Sequence, residues 1–396
     1  MARVAPPCGR LSRIVLALLL ALPLVQGCSW IKGWGDPEPG DPAPLVEFEP
    51  SLKVKKVWST DVGDGMGKHG LSMAPVYSDG KLYTADYEGR LVAVDAESGR
   101  KVWDLDTEQP FSGGPGVDAE HVYMGTIDGR VVAYDRAGGA ELWNAQVSSE
   151  VLSPPASGDG IVVVRCIDGR VFGLDAINGR RVWIHDRNVP LLTLRGNANL
   201  LIRGGIVFVG YDDGAVVSLR VSDGSQVWTQ TIVSPEGRTE LDRLADIGQQ
   251  MVLVASDLIV SSYKARVVSL AADSGRLLWF KDISSATGVQ VDRTKLAVSE
   301  KNGNLWMLDR RNGSTTWRLD QMTNRGLTRP AFYGDYVVVG DKEGYLHWLD
   351  ADIGSFVARV RAGKDGFAAA PLSVGTTLYV LTHDGDLIAY RAGAAI

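Results

Sequence analysis

The sequence predicts an all-β chain, an eight-bladed β-propeller of four-stranded antiparallel blades. Three observations predict it. Trp103, Trp143, Trp183, Trp228 and Trp317 each follow a glycine by fourteen residues (Gly89, Gly129, Gly169, Gly214 and Gly303), and Trp279 and Ala358 hold the same slot after Ala265 and Gly344. The slots recur at intervals of 38 to 51 residues, and a period near forty with a fixed internal pattern marks a propeller blade. Val57-Trp58 shows a blade-ending pattern with no blade before it, while the last blade stops short of an outer strand, so the two ends of the chain complete each other.

The 396 residues are 45% hydrophobic and 22% charged, a globular balance with ample apolar surface for a core. Residues 1–27 read as a lipoprotein signal peptide. Arg3, Arg10 and Arg13 precede an apolar run from Ile14 to Leu22 that is too short for a membrane span. Leu24-Val25-Gln26-Gly27-Cys28 then resembles the bacterial lipobox, which implies cleavage before Cys28 and lipid on it. Ser29 in the next position favours the outer membrane over the inner in that sorting pattern.

The formal net charge of −6 becomes −9 once Arg3, Arg10 and Arg13 leave with the leader, which argues against a nucleic-acid partner or an anionic-lipid surface. With Cys8 removed and Cys28 lipidated, Cys166 is alone and no intrachain disulfide is possible, although the compartment would permit one. Following Ile161-Val162-Val163-Val164-Arg165, Cys166 reads as a small buried hydrophobe on a strand.

Residues 28–51 read as the lipidated cysteine and a tether, since Pro37, Pro39, Pro42, Pro44 and Pro50 alternate with acidic residues and favour extended chain. Residues 52–396 form the propeller. In its first blade, Pro75-Val76-Tyr77 opens a strand and Ser78-Asp79-Gly80 turns it. Lys81 to Asp86 returns, Tyr87-Glu88-Gly89 turns, Leu91 to Asp95 forms the third strand, and Lys101-Val102-Trp103 begins the outermost. Asp95, Asp135, Asp175, Asp309 and Asp350 each precede the tryptophan slot by eight residues, where an aspartate accepts hydrogen bonds from its own turn. The eighth blade starts at Ala370-Pro371-Leu372 and runs to Tyr390. Pairing it with Leu52–Thr60 closes the ring and removes two exposed sheet edges. The run from Ala93 to Trp103 resembles the PQQ-type propeller repeat, and that resemblance extends over residues 52–391.

The chain breaks its own period in two places. From a tryptophan to the next blade's entry the interval is 12 residues for Trp103 to Pro115 and for Trp143 to Pro155, but 17 for Trp183 to Leu200 and 23 for Trp228 to Met251. Such outer-to-inner connections share one face of a propeller, so the two insertions are neighbouring loops. Leu192 and Leu194 fall on one side of the first if it is extended, and Arg195 beside them can fork onto a carboxylate. The second contains Thr239-Glu240-Leu241-Asp242-Arg243-Leu244-Ala245-Asp246, which reads as one or two helical turns. Apolar residues on a long loop flanked by an arginine and acids suggest a protein contact. The alternative is that Leu192 and Leu194 plug the neighbouring blade while Arg195 pairs with Asp242 or Asp246.

A lipidated propeller with Leu194-Arg195-Gly196 in one loop and Thr239 to Asp246 in the next resembles the BamB family of outer-membrane assembly lipoproteins. Gly340-Asp341 and Glu343-Gly344-Tyr345-Leu346-His347-Trp348 fit that resemblance too. It implies a non-catalytic scaffold of the outer-membrane β-barrel assembly (BAM) complex, lipid-anchored at the outer membrane and facing the periplasm. It further implies that the loops bind a POTRA domain of BamA through Leu192, Leu194, Arg195, Asp242, Arg243 and Asp246, and that unfolded outer-membrane proteins are further partners. Gly248 departs from the family's pattern, where a second acidic residue is expected.

Two other classes share the fold. A quinoprotein dehydrogenase resembles this chain in its repeat, but such enzymes carry adjacent cysteines, calcium ligands and in some cases a Cys-x-x-Cys-His haem site; the sequence has neither adjacent cysteines nor that haem motif. His69, His121, His185, His347 and His383 fall in different blades without metal-ligand spacing, and no Gly-x-Ser-x-Gly motif is present. No cofactor or metal is expected. A ligand-sensing propeller would instead carry an apolar, partly charged central pocket.

Overall fold

The computed structural model describes residues 1–2, 40–65, 73–190, 192–194, 198–234, 239, 244–247, 250–263, 266–285 and 287–394. Cys28, Arg195, Asp242 and Arg243 lie outside them. Met1–Asp41 and Pro42–Ile396 are separate units, and the second contains eight four-stranded antiparallel sheets. Seven use four consecutive strands, innermost first. Blade 1, for example, is Val76–Ser78, Lys81–Ala85, Arg90–Asp95 and Lys101–Asp106. The eighth takes three strands from the C-terminal end, Leu372–Val374, Thr377–Leu381 and Asp386–Ala394, and its outer strand, Leu52–Asp61, from the N-terminal end. The register from Leu52↔Ala394 to Asp61↔Asp386 closes the ring as the sequence predicts.

The tryptophan slot has a physical explanation. In each outer strand the residue before the slot is an extra one, so the ladder bulges there, as at Val102, where Ala93 faces Trp103 but Val94 faces Lys101. In six blades the bulge leaves a large extra residue outside, with Val57, Val102, Leu142, Val182, Val227 and Leu278 among the exposed hydrophobics, whereas Val357 of blade 7 is buried. The tryptophan turns inward, towards the next blade. Its indole N–H donates to a carbonyl there in every case: Trp58 to Ala96, Trp103 to Arg136, Trp143 to Ala176, Trp183 to Val221, Trp228 to Ala272, Trp279 to Arg310 and Trp317 to Ala351. The ring also lies on a glycine of that blade's last turn. At Gly275 (φ +69°) an added Cβ would stand 2.6 Å from the Trp228 ring, so both conformation and space demand glycine.

Ala358 breaks the tryptophan series by an exchange of sizes. Ala93, Ala133, Gly173, Ser218 and Ser269 are small residues facing their tryptophans across the third and outer strands. In blade 7 the pair is Trp348↔Ala358, with the large side chain on the third strand. Trp348 is fully buried and meets Tyr333 edge-on at 4.9 Å, keeping the volume filled.

The five aspartates before the slot do hold their turns. Asp95 accepts from Ser98 N, Asp135 from Gly138 N, Asp175 from Ile177 N and Asn178 N, Asp309 from Arg311 N, and Asp350 from Asp352 N and Ile353 N. Pro75, Pro155, Pro330 and Pro371 sit just before their strands. Pro115 falls inside Phe111–Val117, at a register shift between Gly113 and Gly116 where no ladder N–H is missed. Cys166 is buried one residue beyond the strand Ile161–Arg165, and burial pushes its thiol up, away from reactivity.

The compact unit begins ahead of the first strand because residues 43–51 lie along blade 7. Ala43 N donates to Thr323 O, Arg325 Nη1 to Ala43 O, and Ser51 N to Val357 O. Phe48 stacks on Phe356 at 5.5 Å with the Arg359 guanidinium over its ring. This stretch forms neither helix nor strand, in line with its prolines, but it is packed.

Candidate functional site

The two long connections are residues 186–200, between blades 3 and 4, and 232–251, between blades 4 and 5; the corresponding link from blade 1 to blade 2 is 107–110. Long chain on a surface is held only where its polar groups find partners. Here the roots are cross-tied. Asn199 receives a hydrogen bond from Met251 N at 2.7 Å on its Oδ1. Arg187 pairs with Asp213 at 2.7 Å and lies over the Tyr211 ring, which also carries the Arg165 guanidinium at 5.6 Å. Ile247 N donates to Tyr211 O.

Between those ties, the first loop presents Leu192 and Leu194 outward. Leu192 and Leu194 are 41% and 42% exposed, so neither plugs a blade. The second loop does the opposite at its end: Leu244, Ala245, Asp246 and Ile247 are all buried. Asp246 Oδ1 accepts the Leu194 backbone N–H at 2.8 Å, joining the loops. Burial raises its carboxyl above the ordinary aspartate value; the Leu194 bond opposes this and the neighbouring Asp212 charge adds to it.

Asp212 is itself buried against Arg165 at 2.8 Å, an ion pair linking blades 3 and 4 directly beneath the loops. Sequence reasoning missed this pair, as Arg165 and Asp212 are 47 residues apart and lie in different repeats. The only signal was a charge ending an otherwise apolar strand. Leu244–Ile247 are irregular, and residues 240–243 of the expected helical turn, which include Asp242 and Arg243, lie outside the described residues, as does Arg195. The structure therefore brings Leu192, Leu194 and Asp246 to one place. A cleft of about 640 Å³ lined by Asp168, Arg170, Asp186, Arg187, Asn188 and Val189 adjoins the first loop's root.

The described histidines are separate, and His69 lies outside the described residues. His347 bonds to Asp341, and His121 to Asp118. Among the described residues no three His, Cys, Asp or Glu side chains are grouped as a metal-holding set.

With this geometry established, similarity to known proteins is informative. A family model described as "Outer membrane protein assembly factor BamB" matches residues 54–112 and 88–319. A protein of that name from Pseudomonas aeruginosa is 48% identical over 375 residues, covering 94% of this chain and 98% of its own. Another from Xanthomonas campestris pv. campestris is 42% identical over 395 residues, covering 96% and 97%. The crystal structure of BamB from Moraxella catarrhalis superposes with a TM-score of 0.78 at 25% identity, over 86% of this chain and all of that one. A quinohemoprotein alcohol dehydrogenase from Comamonas testosteroni superposes with a TM-score of 0.67 at 14% identity, covering 85% of this chain and 76% of its own, a likeness of fold alone.

Proposed function

The chain belongs to the BamB family of outer membrane protein assembly factors, and from that premise we propose that it is a non-catalytic scaffold working by contact. Its partner is a periplasmic POTRA domain of BamA, with the rest of the BAM complex assembled around that contact and unfolded outer-membrane proteins as the substrates served. Lipid on Cys28 holds the ring at the outer membrane, on the periplasmic side. One observation carries the docking site: Leu192 and Leu194 stand exposed on a loop whose backbone is pinned by buried Asp246. Exposed aliphatic side chains on a pre-ordered loop bind with little ordering cost, which is what an anchor residue needs. Arg195, Asp242 and Arg243 supply the charged rim in this reading. Asp246 acts from beneath, as the residue that positions Leu194.

Capture of the BamA periplasmic region by the Leu192→Ala/Arg195→Ala variant tests this, with circular dichroism reporting an intact fold. Capture is expected to fall at least tenfold; two removed anchors of about 1 kcal/mol or more each suffice for that. Undiminished capture would overturn the loop assignment.

A further inference from the structure

The first strand of every blade is the innermost, so solvent reaching its residues comes from the central channel or its mouths. The mid-strand residues there are uncharged. Tyr77 is 37% exposed, and Ile202, Leu253, Phe332 and Ser373 are partly so, while the residues they pair with, such as Leu82, Val207, Leu258 and Val337, are fully buried. The middle of the wall thus mixes apolar and aromatic side chains with Ser157, Gln290 and Ser373, and charged groups gather at its far end, where Asp292, Arg293, Lys295 and Asp335 line a cleft with Phe332 and Ser373.

At the entry end of the first strands, blade 7 carries a cation. Arg329 immediately precedes Pro330 and the first strand of blade 7, Ala331–Tyr333. At the equivalent position of the other blades, from Ala74 through Asn199 and Gln250 to Ala370, every residue is uncharged. Arg329 reaches back across the entry of blade 6, where Nη1 donates to Gln290 Oε1 at 2.7 Å. Gly288 makes room for it: a Cβ there would stand 3.3 Å from Arg329 Cδ and 3.5 Å from Gln250 N. A guanidinium has five N–H donors, and the bond to a neutral amide uses one.

Among the described residues no carboxylate pairs with Arg329, and burial alone pulls it down to about 10 with no charge opposing the shift. Beside Gly288, the buried Thr287 hydroxyl is also without a hydrogen-bond partner. A half-buried cation with free donors favours an anion, and the planar fork suits a carboxylate.

We propose that the mouth of the central channel binds a carboxylate carried on a small apolar body, with Arg329 as its anchor and the apolar first-strand residues as its wall. The site abuts the root of the second docking loop at Gln250 and uses none of the residues proposed to hold the partner.

Isothermal titration of the full chain at constant ionic strength with 3-phenylpropionate, 3-phenylpropanol and acetate tests it. Saturable binding of 3-phenylpropionate is expected, with acetate and the alcohol each weaker by about tenfold or more, the loss expected for one charge-assisted bond or one buried apolar group. Arg329→Met is expected to bring the carboxylate down to the alcohol's affinity while leaving capture of the BamA region unchanged. Absence of saturable binding, an alcohol bound as tightly as the acid on the wild-type chain, or an Arg329→Met protein binding the acid like wild type would each overturn the site. The comparison of acid with alcohol needs no variant, so the outcome does not depend on the mutant folding.

Discussion

The Leu194 backbone N–H and the Asp246 carboxylate meet at 2.8 Å, so an exposed residue of one loop is held by a buried residue of the next. The arrangement separates two tasks that a surface loop ordinarily combines. The aliphatic side chain is free to meet a partner, and the backbone that carries it is fixed from below. This predicts that Asp246→Ala weakens partner capture although the carboxylate itself is out of a partner's reach. It also costs about 1–2 kcal/mol of stability, because Leu194 N loses its acceptor.

Asp246→Asn behaves differently. The amide oxygen keeps the Leu194 bond, and the buried charge is gone. Since burial raises the Asp246 carboxyl above its ordinary 3.8, the folded state holds a proton in a window where the unfolded chain has lost it. Stability from this group therefore falls as pH rises from 3.8 through the folded value, and the penalty is complete at neutral pH. Urea unfolding at pH 7 should find Asp246→Asn at least as stable as wild type. A variant as destabilised as Asp246→Ala would refute the account.

The Arg165–Asp212 pair lies next to this carboxylate with both side chains buried. Removing one member of a buried pair typically costs about 3–5 kcal/mol, because the other charge remains desolvated. Arg165→Met is the harsher of the two single changes here: it leaves both Asp212 and Asp246 without the nearby cation. Arg165→Met/Asp212→Leu should recover a large part of the loss, a non-additivity that a double-mutant cycle by denaturant unfolding would read directly.

At the blade interfaces, Trp228→Phe leaves the Ala272 carbonyl without its indole donor and should cost about 1–3 kcal/mol. Gly275→Ala on the facing turn should cost more than a conformational penalty of about 1 kcal/mol, since the new methyl collides with the indole as well. Combining Gly275→Ala with Trp228→Leu removes the collision, so the double variant should be less damaged than the sum of its parts. Additive losses would show that the ring and the glycine do not act as a unit.

Most of the ring was legible in the chain because its determinants are local. A bulge, a tryptophan and an aspartate that caps its own turn all fall within a dozen residues, and each recurs at one register. Even the closure was readable, since Val57-Trp58 carries the outer-strand pattern by itself. The exchange at Trp348 and Ala358 was not, because a reversed size pair looks like a missing signal when only one partner is watched. The site was half legible. Extra loop length identified where it is, and alternation put Leu192 and Leu194 on one side. The burial of Asp246, its neighbour Arg165 and the docking of Phe48 on Phe356 depend on residues brought together by the ring, which no local spacing reports. Arg329 stands out once the blade entries are compared position by position, but its bond to Gln290 does not show in the sequence.

Blade 7 should be acid-labile through His347. Its Nδ1 faces the Arg359 Nε donor at 3.3 Å and its Nε2 faces Asp341 Oδ2 at 2.8 Å, so the ring is neutral with its proton on Nε2. Burial holds His347 below its ordinary 6.5; Asp341 opposes that, and the Arg359 and Arg325 charges reinforce it. The unfolded chain takes up this proton before the folded one does, so stability falls as pH drops below 6.5 towards the folded value, by up to about 1.4 kcal/mol per pH unit. For Asp341, burial raises the carboxyl, but the bonds from His347, Tyr345 N and Arg325 together outweigh it and hold the group low. Its contribution is present above 3.8 and is lost as pH falls through the folded value. The two groups thus act in the same direction in successive windows. Arg325 also donates to Ala43 O, so the segment 43–51 should loosen along with the network. Urea midpoints at pH 7 and pH 5 check the first window: His347→Gln keeps a donor towards Asp341 without a titrating ring, and should lose less stability than wild type between those values. Equal losses would place the acid sensitivity elsewhere, and hydrogen exchange at residues 43–51 would show whether blade 7 opens at all.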